Sequence, residues 1–104
     1  MRIFQGWISA GFPSAAEGME DAELNLHELL VRHPTATFFY RVKGDSLRTE
    51  CIPDHSILIV DRSVTPTRGC LVVAESGGAF VVDRFVPNVP IALCGVVVAM
   101  AKRF

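Results

Sequence analysis

From Thr35 onward, apolar residues come in short runs that are rich in β-branched and aromatic side chains, a composition typical of strands. The runs are TATFFYRVK, SILIVDR, GCLVVAES, GAFVVDRFV and IALCGVVVAMA. Gly77-Gly78 separates the third run from the fourth and predicts a tight β-hairpin. The last run predicts either a strand pair or one long strand. Because prolines fall between the runs, as turn residues do, we expect a mostly β fold, a small curled antiparallel sheet or barrel.

A helix is predicted from Asp21 to His33, ahead of these runs. Its leucines give an approximate helical face, its carboxylates lie near the start and its basic residues near the end. Pro34 stops it. Residues 1–19 show no sustained period and are punctuated by glycine and proline, which predicts a mobile N-terminal arm before a β domain at 20–104.

Composition narrows the class of protein. A chain of 104 residues, half of them hydrophobic, with mean hydropathy +0.36, is expected to form one globular domain. The net charge of −1 and pI near 6.3 give no basic surface, so direct nucleic-acid binding is not predicted. The apolar run near the C-terminus is too short to span a bilayer, and the start is a poor secretory signal.

Cysteines and histidines predict no metal site and no cofactor. The cysteines are three, an odd number, and they are widely spaced among apolar residues: Cys51, Cys70 and Cys94. They are expected to be reduced core thiols of a cytoplasmic protein, without the short spacing of zinc ligands. His27 and His33 are six residues apart on the predicted helix, so they point to different faces.

Ser46 is the candidate nucleophile, because it follows Gly44-Asp45 in a turn between two apolar runs. A plain turn serine explains the same pattern. A triad with His55 and Asp61 has the right residue types, but nothing in the spacing brings them together. Lys43 would lie on the opposite face from Ser46 if both were on one extended strand, and Lys102 is expected to be exposed. Neither lysine is therefore a good candidate base.

The chain resembles the LexA/UmuD family of self-cleaving serine peptidases. The resemblance runs from about Ala10 to Phe85 and returns in CGVVVAMAKR, and its specific pieces are GFPS after a small residue, LNLHELLVRHPTATFF, GDS and ILIVD. No helix-turn-helix domain precedes it, so the chain looks like the UmuD branch. The resemblance implies a β-rich fold and a Ser-Lys dyad whose nucleophile position is Ser46, in the active-site turn of Gly44, Asp45 and Leu47.

The resemblance also implies a substrate and partners. Family members cut their own N-terminal arm at a bond that matches Ala10-Gly11, and a RecA filament stimulates this cleavage. The trimmed UmuD-type dimer joins a Y-family polymerase, UmuC, to form DNA polymerase V for translesion synthesis in the SOS response.

Several positions depart from the family pattern. The position of the catalytic lysine is Asp83, a far weaker base, and the methionine after the serine is Leu47. His55 replaces a glycine, which costs about 1 kcal/mol if the turn needs positive φ. A pair of strands is missing where VPNVPIAL connects two runs, so we expect open sheet edges that an assembly covers.

The sequence therefore predicts a catalytically degenerate UmuD-like accessory subunit. It would form a homodimer, or a heterodimer with a UmuD-like protein, and bind a Y-family polymerase. The alternative is an active peptidase that uses Ser46 to cut at Ala10-Gly11. A third interpretation is a decaying remnant without a role.

Overall fold

The computed structural model describes residues 2–4, 21–23 and 25–104 of the chain. Strands β1 (Arg2–Phe4) and β2 (Asp21–Glu23) pair antiparallel. They are followed by helix α1 (Leu26–Leu30) and by five strands, namely β3 (Thr37–Arg41), β4 (Ile57–Asp61), β5 (Leu71–Ser76), β6 (Ala79–Arg84) and β7 (Ala92–Ala101). Single 3₁₀ turns occupy Pro34–Ala36 and Arg48–Glu50. The predicted mostly β fold is confirmed.

The five long strands form one antiparallel sheet in the order β3-β4-β7-β5-β6. The last apolar run is one long strand at the centre of this sheet. Gly77 and Gly78 both have positive φ, 58° and 80°, as the tight turn between β5 and β6 requires. The edges of the sheet are β3 and β6.

The connection from β6 to β7 crosses the sheet. Both strands run antiparallel to β5, which lies between them, so they are parallel to each other. The seven residues 85–91 must therefore return along the length of β5 over one of its faces. This explains why Val72 and Ala74 are buried on that face, while Val73 packs into the main core on the other.

The main core lies on the concave face of the sheet. Its buried members come from β4, β5 and the segments that flank the loop after β3: Val42, Ile52, Leu58, Val60 and Val73. Tyr40 of β3 and Phe80 of β6 meet edge to face, with ring centroids 5.1 Å apart. The two edges of the sheet therefore approach each other, which gives the curled shape.

The helix is shorter than the sequence pattern predicts. Residues 21–23 form a strand, and the predicted start at Asp21 is wrong. The side chain of Asn25 accepts hydrogen bonds from the N–H groups of His27 and Glu28, at 3.0 and 3.3 Å, and this cap fixes the start at Leu26. Val31 is already extended, so the helix ends at Leu30, four residues before Pro34.

The prediction that all three cysteines are core thiols is wrong in part, because Cys94 packs against the main core but Cys51 does not. Cys51 is exposed at the end of the second 3₁₀ turn, and Cys70 and Cys94 are half-buried; all three thiols are free. Among the described residues, no helix is long and apolar enough to cross a membrane. Apart from residues 2–4, the predicted N-terminal arm lies outside the part of the chain that the structure describes.

Candidate active site

The loop that carries Ser46 begins where β3 ends. Val42 still bonds to the backbone of the neighbouring segment: its N–H donates to the carbonyl of Ser56 at 2.8 Å, and its carbonyl accepts from the N–H of His55 at 3.0 Å. Gly44 then turns the chain with φ of 94°, a conformation that favours glycine. Its N–H donates to Oδ1 of Asp54 at 2.7 Å, and this bond is the main reason that the pKa of Asp54 lies below its ordinary value.

A second turn holds the other side of the loop. The N–H of Arg48 donates to the carbonyl of Asp45 at 3.1 Å, and the N–H of Ile52 donates to the carbonyl of Leu47 at 3.1 Å. Leu47 packs against the core, whereas Asp45 and Ser46 are exposed. The loop thus anchors its apolar residue and presents the hydroxyl of Ser46 to solvent.

Ser46 lines a cavity of about 370 Å³ between the two edges of the sheet. The walls come from the end of β3, from the Ser46 loop, from the core and from β6; they are Tyr40, Arg41, Val42, Lys43, Leu47, Leu58, Val73, Phe80, Val81 and Val82. Burial is the largest reason that the pKa of Tyr40 is raised. The site combines an apolar floor, the hydroxyls of Ser46 and Tyr40, and two cationic side chains.

Lys43 lines the same cavity as Ser46. The premise that both residues lie on one extended strand is not met, because β3 ends at Arg41 and the chain turns at Gly44. The side chain of Lys43 is exposed. A lysine acts as a base near neutral pH only where desolvation or a neighbouring cation lowers its pKa, so its presence alone does not activate the serine.

Asp83 does not line this cavity. Successive side chains of a strand point to opposite faces, and Val82 of β6 packs against the main core. Asp83 therefore projects from the other face, where it lines a second cavity of about 340 Å³ with the crossover segment 85–91. Its Oδ1 accepts a hydrogen bond from the N–H of Arg84 at 2.8 Å. The structure thus separates Ser46 and Asp83 into two cavities.

Arg84 clamps the second 3₁₀ turn to β6. One guanidinium nitrogen donates to Glu50, four residues after Ser46, and the other donates to the carbonyl of Gly69 at 2.9 Å. The clamp depends on a residue 34 positions away, so no local pattern points to it.

Comparison with known proteins identifies the fold family. The sequence profile described as Peptidase S24-like matches residues 2–90 of the chain. The chain belongs to the Peptidase S24-like family. It is 54% identical over 77 residues to the protein MucA of Salmonella typhimurium and 39% identical over 91 residues to the protein SamA of the same species. These matches cover 74% and 88% of the chain, but only 53% of MucA and 65% of SamA.

The LexA repressor of Idiomarina loihiensis is a more distant relative, 34% identical over 80 residues that make up 77% of the chain and 38% of the repressor. The predicted kinship with LexA and UmuD-like proteins is therefore confirmed. The chain spans about half the length of MucA, so the activity and partners of whole S24 proteins do not carry over without further support.

The three residues of the hypothetical triad do not meet in this S24 domain. Nε2 of His55 lies 3.5 Å from Asp54, and the carboxylate of Asp61 is buried elsewhere. His55 has φ of 66°, so the turn does need the left-handed conformation that a glycine adopts freely.

Asp61 forms a polar cluster that sequence reasoning missed. Its Oδ1 accepts hydrogen bonds from the N–H and hydroxyl of Ser63, and its Oδ2 lies 2.5 Å from Nδ1 of His33. The bond from the Ser63 hydroxyl, followed by the bond to His33, lowers the pKa of Asp61 to about 2. The cluster ties the segment after α1 to the end of β4, which is a structural role.

The remaining expectations concern metals and cleavage. Within residues 25–104 and the two short strands before them, no three His, Cys, Asp or Glu side chains gather as metal ligands do. Ala10 and Gly11, the predicted cleavage bond, lie outside the described residues.

Proposed function

We propose that this S24 protein is a catalytically degenerate, UmuD-like accessory subunit of SOS translesion synthesis, which dimerises and binds a Y-family, UmuC-like polymerase in the cytoplasm. The kinship with MucA and SamA supports a UmuD-type role in mutagenesis. No cofactor is needed for such a role, since binding alone supplies it.

One observation carries the loss of catalysis. Ser46, to which the resemblance assigns the nucleophile position, lines one cavity, whereas Asp83, to which it assigns the lysine position, lines a separate one. Among the described residues, the hydroxyl of Ser46 has no hydrogen-bonded base. General base catalysis contributes about 10²–10⁴-fold to rate, so a serine without it is slow.

Open sheet edges support the assembly part of the proposal. β3 is an edge strand, and Phe38 and Phe39 on it are exposed. The N–H of Val42 bonds to the β4 side, so by alternation the backbone groups of Thr37, Phe39 and Arg41 point away from the sheet. Such an edge is a template for another chain, and a second copy or a UmuD-like partner would cover it.

An active self-cleaving peptidase is the second candidate function. The observation that favours it is the presence of Lys43 beside Ser46 in one cavity. In this alternative, Lys43 takes the hydroxyl proton as Ser46 attacks the carbonyl carbon of Ala10, and the Ala10-Gly11 bond then breaks with release of the Gly11 amine.

Intact mass over time separates the two candidates. Wild type, Ser46→Ala, Lys43→Gln and Asp83→Lys are incubated at neutral and alkaline pH, with and without a RecA filament. The first candidate predicts intact wild type. Loss of residues 1–10 from wild type, but not from Ser46→Ala or Lys43→Gln, would establish the peptidase instead.

The binding role needs its own measurement. Sedimentation equilibrium should show a dimer, and a purified Y-family polymerase should co-elute with wild type and with Ser46→Ala equally, since the serine has no part in binding. A monomer that does not retain the polymerase rejects the accessory-subunit proposal and leaves a remnant without a role.

A further inference from the structure

The outer edge of β6 has unpaired backbone groups. The N–H of Phe85 donates to the carbonyl of Cys70 at 2.8 Å, so Phe85 bonds toward β5. Hydrogen bonding alternates along an antiparallel strand, and the backbone groups of Phe80, Val82 and Arg84 therefore point away from the sheet. Because β6 is the last strand of the sheet, these groups can pair with an added strand.

An apolar groove lies along the outer face of the same strand. It is the second cavity, bounded by Val81 of β6 on one side and by Val86, Val89 and Ile91 of the crossover segment on the other. All four side chains are exposed. The crossover covers β5 but not β6, so the groove stays open toward the edge strand.

One carboxylate points into this apolar groove, that of Asp83, and among the described residues no cation lies within ion-pairing distance of it. Glu75 pairs with Phe80 across the hairpin, so its side chain is on the other face of the sheet. The guanidinium of Arg84, the cation nearest in sequence, is directed at Glu50 and Gly69. The groove therefore complements a positive charge on a long apolar stem, as lysine and arginine have.

A second copy of β6 does not supply a cation for Asp83. Pairing about a two-fold axis through the sheet keeps each side chain on its own face. Asp83 would then lie opposite Asp83, Val81 or Ala79 of the copy, depending on the register, and in each case without a cation.

We propose that β6 is the docking strand for an extended segment of a different protein, in which apolar residues alternate with lysine or arginine. The segment adds antiparallel to β6, sets its basic side chains over Val81 toward Asp83, and sets its apolar side chains on the other face. This inference deepens the proposed accessory role, since it names the docking strand and the chemistry of the partner segment, and Asp83 acts there in recognition.

A peptide probe tests the charge complementarity. The probe is a labelled, capped seven-residue peptide in which valine alternates with lysine and arginine, followed by fluorescence anisotropy at low salt. Asp83→Asn should weaken binding about threefold, since an exposed ion pair contributes modestly. Glu28→Gln, an equal charge change on exposed α1, should have no effect. Equal losses for both changes would overturn the proposal.

Backbone methylation tests the strand pairing. Two further probes carry N-methyl groups either on the valines or on the basic residues, so each blocks one edge of the peptide. The proposal fixes the direction of the peptide and the face of its basic side chains, so only one of the two sets of N–H groups points at β6. The probe that is methylated on that set should bind at least about tenfold more weakly than the other, because several backbone hydrogen bonds are lost. Equal binding of the two would refute pairing with β6.

The remaining outcomes are also decisive. If no probe binds and Asp83→Asn shifts the monomer–dimer equilibrium instead, a second copy occupies the edge and the inference is wrong. If the probes bind as expected while no Y-family polymerase does, the inference holds and the proposed function fails.

Discussion

Replacing His55 by glycine should give a more stable protein than replacing it by alanine. His55 has φ of 66°, a left-handed conformation in which a Cβ crowds the following carbonyl. That crowding costs roughly 1–2 kcal/mol, and glycine avoids it. Glycine loses about 0.5–1 kcal/mol more backbone entropy than alanine on folding. The difference predicts that His55→Gly exceeds His55→Ala in free energy of unfolding by about 1 kcal/mol.

The alanine variant is the control for the imidazole itself. Both variants remove the contact of His55 with Asp54, so their difference isolates backbone strain. Urea unfolding, followed by circular dichroism, should place the midpoint of His55→Gly roughly 0.7 M above that of His55→Ala, for a slope of about 1.4 kcal/mol per M. The melting temperature of His55→Gly should be about 5 °C above that of His55→Ala.

A second pair of variants, at Arg68, shows whether glycine is less stable than alanine where the backbone has no positive φ. Arg68 is exposed and lies in a turn without positive φ, so there glycine should be less stable than alanine by about 0.5–1 kcal/mol. If the glycine variant is less stable than the alanine variant at both positions, left-handed strain at His55 does not lower the free energy of unfolding, and the reasoning fails. The result bears on the site because this turn also supplies Asp54, which holds Gly44.

Three further outcomes concern packing and pH. Val60 is 0% exposed, so Val60→Ala should lower the free energy of unfolding by about 2.5 kcal/mol in urea, while Phe39→Ala, at a position 57% exposed, should cost less than about 1 kcal/mol. A Cβ on Gly95 would lie 2.6 Å from Cγ1 of Val60, so Gly95→Ala should cost about 2 kcal/mol, and the double variant with Val60→Ala should cost less than the sum; strict additivity would contradict this. The pKa of Asp61 falls from 3.8 to about 2 on folding, so the stability that this carboxylate contributes is present above about pH 4 and is lost as pH falls toward 2. Asp61→Asn should therefore flatten the fall of the free energy of unfolding between about pH 4 and pH 2. An unchanged fall would exclude the cluster as its source.

Short-range patterns predicted the elements but not all their limits. Alternating β-branched runs and the Gly77-Gly78 pair predicted strands and a hairpin correctly, because period and turn chemistry act over a few residues. The leucine pattern before Pro34 predicted a helix in the right place. It missed the strand at Asp21–Glu23, whose pairing partner is residues 2–4.

The candidate site shows the same division. A glycine-aspartate-serine turn between strands pointed to Ser46, and the family resemblance pointed to Asp83. The alternation rule also implied that Lys43 and Ser46 diverge, and this failed because β3 ends earlier than the rule assumed. Which cavity each residue lines depends on where a strand ends and how the sheet curls, and neither is a local property.

The sequence by itself determined the strand periods, the tight turns and the resemblance to the family. The periods and turns follow from residue type and short spacing. Only the tertiary structure decided that the two sheet edges approach each other around Ser46, that Arg84 clamps Glu50, and that the crossover segment leaves a groove that Asp83 lines. Each of these joins residues that are distant in the chain, and their meeting is set by sheet order and twist, which no local pattern encodes.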